Sequence, residues 1–302
     1  MTISKKIGLI GLDTSHAIAF TRILNNPDYE LFLDSGFRVK VGYPGGSADF
    51  PLSINRVDGF TKQLSEEYGV QMVGSPEAVA EQADAILLTS VDGRVHLDQF
   101  RAVASFGKPV FIDKPLAVST ADARAIMAIA EEKGIPCMSS SVRRYARELI
   151  AALQEEENGP IKGAESYGVI DFMPTQPGWY WYGIHTVEVL YAIMGTGCTA
   201  VTATRAGDQE VITGVWADGR IGIVRGNPHP NGTAGAVIHR EKGSRFADLA
   251  ADGMGAYAGL MQRVIGMFES GQVPVPHEET IEIIRFIEAA NESRESGKTV
   301  AL

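Results

Sequence analysis

Short apolar runs alternate with stretches of helical spacing along the first half of the chain, and no other feature narrows the fold so far. Lys5–Gly11, Arg38–Gly42, Gln71–Val73, Ala85–Leu88, Pro109–Ile112 and Pro136–Ser139 read as strands. Between them, Ser15–Asn25, Gly59–Tyr68, Arg94–Phe106 and Thr120–Lys133 read as helices, the last stopped by Gly134. The Gly/Pro/Ser-rich stretch Tyr43–Val57 reads as a loop. Strands buried on both faces show no alternation of apolar and polar residues. This order therefore predicts an α/β unit, a Rossmann-like doubly wound parallel sheet with helices on both faces.

The second half is patterned differently. After a helix at Arg144–Glu155 come strand-like segments at Gly163–Ile170, Ala200–Arg205, Glu210–Trp216, Ile221–Arg225 and Ala234–Arg240, divided by turn pairs such as Asp218-Gly219 and Lys242-Gly243. A helix at Ile184–Met194 intervenes, and helices at Ala256–Ser270 and Glu278–Ser296 close the chain. Short turns between consecutive strands predict an α+β domain with an open, mainly antiparallel sheet. A chain of 302 residues suits two cores. The expected domains are residues 1–142 and 143–302, with the last helix packing back on the first.

Charge and cysteine usage exclude several functions. A net charge of −10 repels phosphate backbones, so nucleic acid is not an expected partner. No apolar run is long enough for a bilayer span, and Met1–Lys6 leads into a strand without the marks of a signal peptide. Cys137 and Cys198 lie far apart and fit neither a disulfide framework nor a zinc motif. The reducing cytoplasm is the expected compartment.

The first strand enters its helix through Ile7–Ala17, IGLIGLDTSHA. A dinucleotide pyrophosphate binds at such a helix N-terminus, usually behind G-x-G-x-x-G. Gly11 holds the first glycine place, but Asp13 holds the second and His16 the third. Asp13 brings bulk and negative charge where a backbone normally approaches phosphate. The alternative is that Asp13, Thr14 or Ser15 simply caps the helix.

Gly107–Ala117 reads GKPVFIDKPLA and delivers Asp113, Lys114 and Pro115 to the C-terminal edge of the sheet. It resembles the signature G-K-x-V-x-x-E-K-P-x-A of the Gfo/Idh/MocA oxidoreductases, with Asp113 in place of the glutamate. His96 and the helix after it, Arg143-Arg144-Tyr145, and the closing Ala289–Ser293 with Ser296-Gly297-Lys298 resemble further segments of that family, in order along nearly the whole chain. The resemblance implies NAD or NADP as cofactor, with Lys114 beside the nicotinamide and the substrate hydroxyl. Gly8, Gly11, Asp13, Thr14, Ser15 and His16 then line the first turn, with Tyr43, Thr89, Ser90, Asp113 and Lys114 as further cofactor contacts. Without the motif, Lys114 reads as a solvated lysine at a strand end.

The same family carries D-x-x-x-H on a helix. Here Gly183-Ile184-His185 matches its end, but Trp181 stands where the aspartate belongs, and Glu188 follows His185 by three residues. His185 is the second catalytic candidate, as proton relay or substrate hydrogen-bond partner; the alternative is a histidine packed between helix and sheet. Trp179, Tyr180, Trp181 and Tyr182 either stack on a sugar or cyclitol ring or pack as core. Arg144 joins His185 and these aromatics as a candidate substrate contact. His185 and Glu188 lack further spaced ligands, so no metal site is expected.

These residues frame one leading activity, a hydride-transferring NAD(P)-dependent oxidoreductase acting on a polyhydroxylated carbohydrate or cyclitol. A lyase, epimerase or hydrolase using NAD within one turnover is an alternative on the same scaffold, as is a non-catalytic ligand-binding homologue. A homodimer or homotetramer is expected through the open face of the second sheet. No acid stands at the end of the second strand, so no strong discrimination against NADP is expected, and a preference for it is the direction favoured.

Overall fold

The computed structural model describes residues 4–302; Met1–Ile3, read above as the approach to the first strand, lie outside the described residues. The chain divides into two compact units. The first comprises the chain up to Ala117, Ala121–Ser140 and Tyr257–His277; the second comprises Val118–Thr120, Ser141–Ala256 and Glu278–Leu302. The division thus falls at 140/141, and the penultimate helix, not the last, groups with the first unit.

In chain order the first half contains β1 (Lys5–Ile10), α1 (Ser15–Asn25), β2 (Phe37–Tyr43), α2 (Pro51–Tyr68), β3 (Gln71–Met72), α3 (Pro76–Gln82), β4 (Ala85–Leu88), α4 (His96–Ala104), β5 (Val110–Asp113), α5 (Thr120–Lys133) and β6 (Cys137–Ser140). The strands form one sheet in the order β3-β2-β1-β4-β5-β6, and every pairing is parallel. This is the doubly wound order, in which ligands bind outside the carboxyl ends of the strands where the order reverses, here at β1 and β4. Ile7, Leu9 and Ile10 on β1, Ile86, Leu87 and Leu88 on β4, and Phe111 and Ile112 on β5 are fully buried. Each such side chain contributes about 1.5–3 kcal/mol by leaving water, which holds the strand ends in register.

Two helices depart from the sequence reading. The helix expected at Gly59 begins eight residues earlier at Pro51, because proline fits the first helical turn, where its missing N–H has no partner to lose. The short α3 was not expected; the Ser75 hydroxyl caps it by accepting from Ala78 N at 3.2 Å, with Pro76 following.

The second half adds α6 (Arg147–Leu153), β7 (Ile161–Ile170), α7 (Gly183–Met194), β8 (Cys198–Ala206), β9 (Gln209–Trp216), β10 (Ile221–Pro228), β11 (Gly235–Arg240), β12 (Gly243–Asp248), α8 (Gly255–Ser270), α9 (His277–Ser296) and β13 (Val300–Ala301). Its sheet runs β12-β11-β7-β10-β9-β8-β13 and is antiparallel except where β7 pairs with β10. α7 covers one face, tied by Ser166 Oγ donating to Thr186 O at 2.9 Å. Among the described residues no helix is long and apolar enough to cross a membrane, and no group of three or more metal-ligating side chains is found.

Candidate active site

The first unit builds its site at the end of β1. The chain reverses at Gly11, whose φ of +83° suits glycine. A Cβ there would lie 2.1 Å from Ser90 Oγ and 2.4 Å from Ser90 Cα, so the approach of the segment after β4 demands glycine as well. Gly11 N donates to Tyr43 O at 3.0 Å, Leu12 N donates to Pro44 O at 2.8 Å, and Thr89 Oγ1 donates to Gly11 O at 2.6 Å. Thr89 and Ser90 are buried and brace this turn from behind, and Ser90 Oγ donates to Gln99. Both were expected as cofactor contacts, and the bonds they make within the protein support the turn. Gly8 was expected to line the turn. It lies inside β1, where a Cβ would meet Val79 Cγ1 at 2.2 Å, so it makes room for α3 and does not line the turn.

Asp13, the residue that breaks the glycine fingerprint, points inward. Oδ1 accepts from Val91 N at 2.9 Å and Oδ2 from Ser53 Oγ at 2.5 Å, while Ser53 Oγ accepts from Ser47 N at 2.7 Å. One carboxylate thus ties the β1–α1, β2–α2 and β4–α4 connections together. Burial pushes its pKa up, opposed by the bonds from Ser53 and Val91, and the net direction is upward. Its charge is spent within the protein. The start of α1 keeps its partial positive charge, although Ala17 N donates to Thr14 O at 3.2 Å. Thr14 caps it by accepting from His16 N at 3.3 Å, and Ser15 stands exposed. This donor set fits an anionic pyrophosphate.

His16 turns its ring toward the end of β5. Nδ1 lies 2.8 Å from Asp113 Oδ2 and Nε2 lies 3.3 Å from Tyr257 Oη, with the Tyr257 ring edge-on at 5.2 Å. Asp113 is buried. Desolvation alone would raise its pKa, but the neighbouring His16 and Lys114 charges and bonds hold it below the ordinary carboxylate value. Its second oxygen, Oδ1, is buried without a hydrogen-bond partner among the described residues, an acceptor suited to a donor from a bound group. Lys114 follows, half-buried at the sheet edge and cis to Pro115. His96 lies beneath, its ring nitrogens 3.1 Å from Leu116 O and 2.8 Å from Ser90 O, joining the segments after β4 and β5.

In the second unit, His185 Nδ1 lies 2.7 Å from Ser141 Oγ. That hydroxyl fixes the ring without adding charge. Tyr182 is exposed beside it, the two rings 6.2 Å apart. Of the two readings weighed for the other aromatics, their burial favours packing. Trp179 and Tyr180 are buried; Trp179 Nε1 donates to Glu210 at 2.9 Å and Tyr180 Oη donates to Ile284 O at 3.2 Å. Trp181 is buried too and packs edge-on against Tyr182. Arg144, expected as a substrate contact, centres two ion pairs: its guanidinium bonds Glu188 at 2.6 Å and also Glu279. Both cysteines are buried free thiols, and burial pushes Cys137 up to about 12 and Cys198 up to about 11, so neither is a nucleophile at neutral pH.

Sequence reasoning missed Ser53, Arg94, Ser141 and Tyr257. Each acts on a partner distant in the chain, and none carries a local pattern.

Residues 55–141 match a family model described as an oxidoreductase family with an NAD-binding Rossmann fold. An inositol 2-dehydrogenase of Cereibacter sphaeroides is 29% identical over 150 residues, covering 48% of this chain and 39% of that protein. A 4-carboxy-2-hydroxymuconate-6-semialdehyde dehydrogenase of Sphingobium is 35% identical over 86 residues, 28% of this chain and 27% of that one. These matches span well under half the length of either relative. The crystal structure of an apo scyllo-inositol dehydrogenase from Lactobacillus casei superposes with a TM-score of 0.82 at 16% identity, over 100% of this chain and 99% of that one. At that identity it shows a shared fold.

Proposed function

We propose that the chain is a member of the Gfo/Idh/MocA oxidoreductases, which its NAD-binding family match over residues 55–141 supports, and that it is an NAD(P)-dependent dehydrogenase acting on a CH–OH group of a polyhydroxylated carbohydrate or cyclitol. The observation that carries this reading is the end of β5, where Asp113 and Lys114 stand at the ligand-binding edge of the sheet with the Asp113 carboxylate held by His16. Thr14, Ser15 and the first N–H groups of α1 would hold the pyrophosphate. Asp113 Oδ1 is the acceptor for a hydroxyl donor. When bound, the nicotinamide supplies the hydride acceptor or donor.

Lys114 moves the proton. In the oxidative direction its neutral amine accepts the hydroxyl proton as the carbonyl forms; in the reverse direction the ammonium returns it. Within the second unit Ser141 orients His185, the candidate for a proton relay. Tyr182 offers an apolar ring face for a sugar.

The inositol 2-dehydrogenase relatives and the scyllo-inositol dehydrogenase fold support a cyclitol as the first substrate to try. The test has two stages. NAD and NADP at millimolar concentration are expected to raise the melting temperature. Absorbance of the reduced nicotinamide is then followed with myo-inositol, scyllo-inositol and a panel of aldoses. A melting temperature unmoved by either dinucleotide would sink the proposal. Reduction and reoxidation within a single turnover, without net release of reduced cofactor, would favour the lyase or epimerase chemistry instead.

A further inference from the structure

An ion cluster in the first unit stands outside the hydride chemistry. Arg94, between β4 and α4, holds two carboxylates on different edges of its guanidinium. Asp92 Oδ1 accepts from Nε at 3.0 Å and Oδ2 accepts from Nη2 at 2.7 Å. Asp49, in the loop after β2, takes the outer edge, Oδ2 accepting from Nη1 at 2.8 Å and Oδ1 from Nη2 at 2.7 Å.

The two partners are not equivalent. Asp92 is fully buried, so losing Arg94 would strand a carboxylate away from water. The Asp49 side chain is 65% exposed, so water can replace its two bonds to Arg94 at far lower cost than for the buried Asp92. Asp92 therefore fixes the guanidinium, while Asp49 is free to exchange for another oxyanion. The paired oxygens that Asp49 presents to Nη1 and Nη2 are those a phosphate presents in the same bidentate geometry.

The location gives that oxyanion an identity. In doubly wound folds the end of the second strand reads the adenosine ribose: an acid accepts from its hydroxyls, or a nearby arginine accommodates a 2′-phosphate. β2 ends at Tyr43, and Pro44, Gly45 and Gly46 follow, so no acid stands there. The loop instead crosses the first turn, the Cβ position of Gly45 lying 3.4 Å from Gly11 Cα, and ends at Asp49 on Arg94.

We propose that Arg94 determines cofactor choice: held by Asp92, its guanidinium releases Asp49 and binds the 2′-phosphate of NADP. The inference rests on the reading above that this unit binds a pyridine dinucleotide. It involves no covalent change; one carboxylate moves into water as one phosphate takes its place.

Calorimetry on the full chain with 2′,5′-ADP, 5′-AMP and inorganic phosphate tests it. The expected result is 2′,5′-ADP bound at least tenfold tighter than 5′-AMP, about 1.4 kcal/mol, with inorganic phosphate far weaker than either. Arg94→Met should bring the two nucleotides within about twofold of each other. Should that variant fail to fold around Asp92, Asp49→Asn decides, because it alters only the exposed partner. It should tighten 2′,5′-ADP severalfold and leave 5′-AMP unchanged. Equal affinities in the native protein, no gain in Asp49→Asn, or inorganic phosphate bound as tightly as 2′,5′-ADP would each overturn the inference. If NAD and NADP both bind, with equal strength, the inference falls and the oxidoreductase reading stands; if neither binds, both fall.

Discussion

Two oxygens of Asp13 hold three connections of the first unit, through Val91 N and Ser53 Oγ. Burial holds this carboxyl above its usual value near 3.8, so the folded state binds the proton more tightly than the unfolded chain does. Stability must then fall as pH rises from about 4 through the raised folded value, and level off above it. Asp13→Asn keeps an acceptor for Val91 and removes the titration. Its stability relative to the native protein should therefore rise between pH 4 and pH 7, read by urea unfolding; a constant difference over that range would show that the acid is not shifted. Lys114→Met should lower turnover about a hundredfold with the fold retained, as loss of a general acid/base does. Steady-state rates on whichever cyclitol serves check this, and near-native turnover would remove Lys114 from the chemistry. The place of Lys114 at the end of β5 was legible in the sequence because its neighbours from Gly107 to Ala117 form one continuous pattern. The surroundings of Arg144, Trp179 and Tyr180 were not legible, because they are set by Glu188, Glu279, Glu210 and Ile284, which no local pattern connects to them.

The β1–α1 connection works as an element because its glycine satisfies two demands at once, a positive φ and contact with the backbone of Ser90. Gly11→Ala should therefore cost more than the 1–2 kcal/mol or so typical of a left-handed residue, since the neighbour in the way is backbone and cannot rotate aside. A drop in urea midpoint with unchanged slope is expected, together with weaker dinucleotide binding; a loss under about 1 kcal/mol would mean that the turn relaxes freely. At this scale most of the fold could be read from sequence, since strands buried on both faces leave continuous apolar runs and α1 and α5 carry local start and stop signals. The exceptions have physical causes. β12 is exposed along nearly its whole length, so no alternation marks it. α3 has seven residues, too few for a helical period to show. The Gly/Pro/Ser-rich composition after β2 masked the start of α2, where Pro51 initiates a helix.

At the scale of the whole molecule, a protein of net charge −10 still exposes apolar side chains on one face of its second sheet. α7 covers the opposite face, where Ala164, Ser166, Ile212, Val224 and Ile238 are buried. The outward residues follow from the strand register. Ile221 pairs with Val215, Ile223 with Thr213 and Glu165, and Val237 with Phe246, while Phe246 stacks on Tyr167 at 6.5 Å. Ile221 is 52% exposed, Phe246 49% and Val215 40%. Grouped apolar residues of this kind favour a protein partner, and Glu165 and Arg225 on the same face give a second copy both signs of charge to meet in a two-fold arrangement. We therefore propose that the chain assembles through this face as a homodimer, or as a tetramer built from such dimers. Light scattering at micromolar concentration should give a multiple of the 32.5 kDa chain mass. The paired change Val215→Arg with Ile221→Glu should then yield monomers that keep dinucleotide binding, because both positions belong to the second unit and the proposed dinucleotide residues Gly11 and Lys114 to the first. A monomeric native protein would refute the assembly, and a paired variant that remains dimeric would place the interface on another face.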